Sequence, residues 1–144
     1  MKKRLLGLVV VLAMLIALPM MLTACNKKLT EAEEAVVGKY KLVSLSIDGE
    51  TIPVANFEYF TMEFQENRRC TVKSKAVGGE AYEETARWKI NDEGELEITT
   101  RVLFFTATEK YRMDESNNSF SGTNTETLEG VKVTYVVKME RIVE

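Results

Sequence analysis

The 144-residue chain contains no histidine, only two prolines and two cysteines, and its 19 basic residues fall short of its 22 acidic ones. Each shortage removes a class of chemistry. Without histidine there is no Ser-His-Asp or Cys-His nucleophilic pair, no imidazole-ligated zinc and no imidazole pH switch. No Gly-x-Gly-x-x-Gly or Walker pattern occurs, and Gly78-Gly79 reads as a hairpin turn rather than a phosphate loop. Asp114 to Asn118 offers oxygen atoms without the spacing of a calcium loop, so no metal and no cofactor is expected. Beyond residue 24 the balance is acidic with no basic cluster longer than Arg68-Arg69, a poor match for phosphate backbones, and nucleic acid is not an expected partner. Chance pairs such as Glu83-Glu84 have no spacing that demands acid/base catalysis, and the chain reads as a non-enzyme. Its length suits one domain, since single cores are built from about 100–200 residues.

The apolar residues crowd at the start. Met1-Lys2-Lys3-Arg4 is a basic opening, and Leu5 to Asn26 is a run of 22 residues without a charge. A basic start before an apolar run is the layout of a secretory signal, although this run approaches the roughly 20 residues that span a bilayer. Pro19 and the tetrapeptide ending at Cys25 argue for cleavage instead of an anchor helix. Leu22-Thr23-Ala24-Cys25 resembles the lipobox of bacterial lipoproteins, in which two small residues precede a cysteine that accepts a diacylglyceryl group. That resemblance implies cleavage between Ala24 and Cys25 and lipidation of Cys25. Each acyl CH₂ inserted in a bilayer contributes about 0.8 kcal/mol, so two or three chains hold a protein on a membrane without a spanning helix. The expected location is therefore extracytoplasmic, lipid-anchored to the bacterial cell membrane.

The chain thus divides into a signal peptide over 1–24, a lipidated cysteine and tether over 25–35, and a folded domain over 36–144. Taking the leader's three basic residues from 19 leaves 16 against 22 acidic, a net −6. With Cys25 consumed by lipid, Cys70 is the only thiol, so the domain has no internal disulfide and must rest on its core. Cys70 lies out of phase with Lys73 and Lys75 and is expected to point inward.

Thr30 and Glu33 have capping-box spacing, which predicts one or two helical turns before Gly38. Beyond Gly38 the period changes to two. Tyr82, Glu84, Ala86, Trp88 and Ile90 share one phase against Glu83, Thr85, Arg87 and Lys89, and Val131, Val133, Tyr135, Val137 and Met139 alternate with Lys132, Thr134, Val136, Lys138 and Glu140. Turn residues at Asp48-Gly49, Glu66-Asn67, Gly78-Gly79, Asn91 to Gly94, Asp114 to Asn118 and Glu129-Gly130 divide the stretch. They predict strands near 36–47, 58–65, 69–77, 82–90, 94–102, 105–113, 118–125 and 131–142, with a turn near Leu103-Phe104 that no Gly or Pro marks. Eight short antiparallel strands with hairpin connections suit an all-β up-and-down barrel, whose closure removes exposed edges. A two-sheet sandwich is the alternative.

Gly38-Lys39-Tyr40-Lys41-Leu42-Val43-Ser44, Asp48-Gly49, Trp88-Lys89-Ile90 before an Asn-Asp-x-Gly turn, and the Val-rich last strand together resemble the small lipocalin-like domains of bacterial lipoproteins. The resemblance implies a barrel floor closed by an aromatic residue of the first strand beneath an arginine of the last, here Tyr40 and Arg141. It also implies a lumen able to hold a small apolar molecule. Tyr82, Glu84, Trp88, Glu109, Tyr111 and Tyr135 are the candidate pocket-lining residues, because flat rings with polar tips suit small-molecule sites and a buried carboxylate needs a partner. The expected function is that of a membrane-anchored envelope lipoprotein binding a small apolar molecule. The alternative is a filled barrel serving as an envelope interaction or inhibitor-type protein, with no small-molecule ligand and a protein partner the sequence does not name.

Overall fold

A computed structural model of the chain describes residues 27–102 and 105–144, so the expected signal peptide with its Ala24 cleavage site, the expected lipidation site Cys25 and the turn expected near Leu103-Phe104 lie outside the described residues. The elements in order are α1 (Glu31–Val36), β1 (Gly38–Ile47), β2 (Glu50–Ile52), a 3-10 turn (Val54–Asn56), β3 (Phe57–Phe64), β4 (Arg69–Ala76), β5 (Ala81–Ile90), β6 (Leu96–Val102), β7 (Phe105–Met113), β8 (Ser119–Leu128) and β9 (Val131–Arg141). Every strand pairs antiparallel with its neighbour, and β1 also pairs with β9, so β1 and β3 to β9 close an eight-stranded up-and-down barrel. The barrel, and not the sandwich, is the architecture.

Local chemistry explains the entry. The Thr30 hydroxyl accepts from the Glu33 backbone N–H, and the Glu33 carboxylate accepts from the Thr30 N–H at 2.9 Å, which is a full capping box. The helix ends before Gly38, whose φ of +148° lies where L side chains rarely go, and a Cβ there would overlap the Arg141 guanidinium. The missing Cβ leaves room for the arginine beside the start of β1.

Two irregularities change the pattern read from sequence. Between Leu42 and Ser44 the β1–β9 register shifts, leaving Val43 as an extra residue. Tyr40 and Leu42 point inward before it, and Leu45 and Ile47 after it. The connection left between the expected strands 36–47 and 58–65 instead holds β2, which pairs with Leu45 to Ile47, so β1 shares its outer edge between β2 above and β3 below. A three-residue strand is too short to show a period.

The closed end is an aromatic floor. Tyr40, Phe64, Phe120, Tyr111 and Trp88 meet edge to face at centroid distances of 5.2 to 5.7 Å. Trp88 is 2% exposed and its indole N–H donates to the carbonyls of Gln65 and Arg69 at the β3–β4 turn. Met139, Leu96 and Val36 fill the gaps around the rings. Cys70 is fully buried among them, and burial pushes its thiol well above the usual range, so it acts as a small apolar residue.

The wall is not uniform. β8 pairs with β9 along its whole length, from Ser119 to Leu128, but with β7 only at Arg112↔Ser121 and Met113↔Phe120. Above those pairs Gly122 packs directly on Tyr111 and the Lys110 carbonyl, with no space for a Cβ. The Asn124 side chain then bridges the strands, accepting from Lys110 N–H at 2.9 Å and donating to Lys110 C=O at 3.2 Å. One amide side chain thus replaces the ladder where the two strands diverge.

Candidate functional site

Alternation aims Tyr82 and Glu84 of β5, Thr100 of β6, Glu109 of β7, Glu126 of β8 and Tyr135 of β9 into the lumen above the floor. Their polar atoms meet. Tyr82 Oη donates to Glu84 Oε2 at 2.9 Å, Tyr111 Oη to Glu109 Oε2 at 2.6 Å, and Tyr135 Oη lies 2.5 Å from Glu109 Oε1 and 3.1 Å from Glu126 Oε1. A phenol has one hydrogen, so Tyr135 can donate to only one of those two carboxyl oxygens. For both contacts to be hydrogen bonds, Glu109 or Glu126 must carry the second hydrogen.

Burial is the main influence on Glu109 and Glu84, and it pushes both above the usual carboxylate range against the lowering pull of their hydroxyl donors. Glu126 adds to the rise at both positions through like charge. The phenols respond in the same sense: desolvation and then the neighbouring carboxylates raise Tyr82, Tyr111 and Tyr135. Among the described residues, no Lys or Arg contributes to the shifts of Glu84 or Glu109.

The opposite wall differs in character. Leu45 and Ile47 of β1, Phe57 and Phe60 of β3 and Val72 of β4 supply hydrocarbon and aromatic surface, and Phe57, Phe60 and Val72 are only partly buried. Phe57 and Phe60 stand edge to face at 5.7 Å. The upper lumen is therefore two-sided, apolar along β1, β3 and β4 and lined by phenols and carboxyls along β5 to β9.

Five of the six pocket candidates, Tyr82, Glu84, Glu109, Tyr111 and Tyr135, stand on the polar side, with Tyr111 forming the step between lumen and floor. Trp88 does not join them: it lies two inward positions beyond Glu84 along β5, lower in the barrel and against Phe64. Asn124, which shares the inward phase, is drawn sideways to the Lys110 backbone. Glu126 escapes the sequence reading because a strand ending at 125 leaves it in a loop; extending the phase of Phe120, Gly122 and Asn124 by one step finds it.

At the floor, the Arg141 guanidinium sits with Cζ 4.8 Å from the Tyr40 ring centroid. Its Nη1 donates to Val37 C=O at 2.9 Å, its Nη2 faces Ala35 C=O and Tyr40 Oη at 2.6 Å each, and Nε donates to Asn117 C=O at 3.2 Å. Tyr40 Oη in turn donates to Val36 C=O at 2.9 Å, and burial pushes its pKa up to about 12. Among the described residues no three acidic or thiol side chains stand close enough to hold a metal ion. The two surface depressions described, beside Lys89 to Glu93 and beside Lys27 to Leu29, both lie at the floor end, outside the lumen.

The carboxyl shifts have a measurable consequence. A carboxyl whose folded pKa is raised contributes stability that is fully present below its ordinary value and lost as pH rises through the raised one. Glu84 and Glu109 act in this direction. Glu33, held below the usual range chiefly by its hydrogen bonds to Arg68, acts oppositely, its contribution being lost as pH falls through the lowered value. Urea unfolding from about pH 5 to about pH 8 is expected to show declining stability in the native chain and a smaller decline in Glu109→Gln, which resembles the protonated acid. Parallel curves would contradict a raised Glu109 carboxyl.

The geometry defines an antiparallel barrel with a sealed aromatic floor and a two-sided upper lumen. No protein-family model matches the sequence, and no curated protein matches it. Among solved structures the chain is similar to bovine odorant binding protein in complex with a selenium-containing odorant, at 10% identity over 84% of this chain and 79% of that one, with a TM-score of 0.49. It is also similar to the odorant binding protein OBP1, at 10% identity over 83% and 78%, with a TM-score of 0.47.

Proposed function

We propose that the chain is a lipid-anchored envelope lipoprotein whose lipocalin-like barrel binds a small, largely apolar molecule in its upper lumen. The observation that carries the reading is the two-sided lumen: partly exposed Phe57, Phe60 and Val72 face a set of phenols and carboxyls. Such a site removes the hydrocarbon body of a ligand from water at about 25 cal/mol per Å² while the polar side fixes its orientation. The anchor is supported by Leu22-Thr23-Ala24-Cys25 placed directly after a basic opening and an apolar run. No helix of the described residues is long and apolar enough to cross a membrane.

Titration with the neutral fluorescent probe N-phenyl-1-naphthylamine tests the binding reading. Saturable, one-to-one enhancement is expected, weakened about tenfold or more by Phe60→Asp, because a charge placed in the apolar wall must be desolvated when the probe enters. Circular dichroism on the same sample reports whether the variant keeps its strands. Non-saturable enhancement, or identical titrations of both proteins, would contradict a lumen site.

A further inference from the structure

The N-terminal strap and the floor are joined by two arginines. Arg68, at the β3–β4 turn with φ of +60°, donates through Nη1 to Lys27 C=O at 2.7 Å and through Nη2 to Lys28 C=O at 3.2 Å. The same guanidinium grips Glu33 with two bonds, Nε to Oε1 at 3.1 Å and Nη2 to Oε2 at 2.8 Å. This pair is sheltered, since Glu33 is only 5% exposed, and a bidentate geometry fixes direction as well as distance. Arg141 holds the far end of the strap through the carbonyls of Ala35 and Val37. Leu29 packs against the core between the two clamps. Residues 27–37 are thus bound across the closed end of the barrel.

Cys25 precedes Lys27 by two residues, and a chain spans at most about 3.6 Å per residue, so a lipid on Cys25 is attached within roughly 7 Å of a backbone fixed to the floor. Ten-residue strands rising about 3.3 Å per residue and tilted by about 40° place the mouth roughly 25 Å away. The lipid can therefore reach the bilayer only on the floor side. Charge does not supply the orientation by itself: Lys27 and Lys28 flank the attachment, but the floor turns carry Glu66, Asp92, Glu93, Asp114 and Glu115, which repel anionic headgroups.

We propose that the Arg68-clamped strap holds the sealed floor against a phospholipid bilayer, so that the mouth opens away from it. The proposal rests on the reading of Cys25 as the lipidated residue. A ligand then enters from the aqueous side of the envelope and not from the lipid leaflet beneath.

The test uses the mature protein isolated from its membranes and reconstituted in phosphatidylcholine vesicles containing phosphatidylglycerol and a headgroup nitroxide lipid. Fluorophores are placed singly through Glu115→Cys at a floor turn and Val77→Cys at a mouth turn, while Cys70 stays buried and unlabelled. The floor label is expected to be quenched several-fold more strongly than the mouth label. Arg68→Gln should reduce that contrast, and so should a ten-residue Gly-Ser insert between Asn26 and Lys27, which replaces no residue of the strap and adds a mean reach of about 17 Å. Equal quenching of the two labels in a chain whose mass shows lipid on Cys25 overturns the orientation while leaving the anchor standing. A membrane-derived chain with no lipid on Cys25 overturns both. Contrast that survives both the Arg68→Gln change and the insert overturns the role given to the strap.

Discussion

Arg141→Ala is expected to lower the unfolding free energy by about 3 kcal/mol or more, a large share of the roughly 5–15 kcal/mol typical of a domain. The guanidinium reaches the carbonyls of Ala35, Val37 and Asn117 and the Tyr40 hydroxyl, and it covers the Tyr40 ring. Hydrogen bonds made by a charged group are worth about 1.5–3 kcal/mol each and do not add independently, which is why the expected loss is below their sum. Truncation also strands acceptors that the arginine now satisfies, in a place where α1, the start of β1, the β7–β8 turn and the end of β9 converge. Arg141→Lys should recover only part of the loss, because a single ammonium cannot direct donors at three carbonyls and at the Tyr40 hydroxyl together. Urea unfolding followed by Trp88 fluorescence measures both. A change under about 1 kcal/mol for Arg141→Ala would mean that the floor is held by its rings alone.

Cys25→Ala is expected to produce the largest change in the cell. Without the thiol no diacylglyceryl group can be attached, and the protein should either leave the membrane fraction or retain the whole leader, which fractionation and an intact mass will distinguish. The barrel itself should be unaffected, since Cys25 precedes every described element. Unchanged membrane association with a chain of mature length would remove the lipid anchor from the account.

How much of the molecule its sequence discloses depends on whether a feature is periodic. The wall of the barrel is: Tyr82 to Ile90 and Val133 to Met139 alternate cleanly because one face of each strand is buried, and the observed β5 and β9 follow them closely. Deviations from the period are invisible without a partner strand. The extra residue at Val43 leaves Leu42 and Leu45 three apart, which alone reads as a broken alternation and becomes a bulge only when β9 supplies the register. The β7–β8 divergence is similarly hidden, since Thr123, Thr125 and Thr127 make a good strand by composition whether or not β7 pairs with it.

The site is legible in the sequence as a set of residues but not as a constellation. Strand phase aims Tyr82, Glu84, Glu109 and Tyr135 inward. It does not tell which of them lie at one height, and that height separates Trp88 in the floor from the phenols above it. Nor does it tell how the carboxyls are satisfied. A buried carboxyl prompts a search for a cation, yet here the partners are hydroxyls, and Tyr135 bridges Glu109 on β7 to Glu126 on β8. Sequence distance hides that bridge, and barrel closure creates it.

The central claim, that the upper lumen holds a small molecule, is tested most directly by native mass spectrometry of the mature protein purified without a tag from its own host. The expected spectrum shows a mass excess of one small molecule that is shed on collisional activation and is absent from Phe60→Asp prepared in the same way. A chain that carries only its own mass and its lipid, and that also fails to take up the naphthylamine probe to saturation, would contradict it.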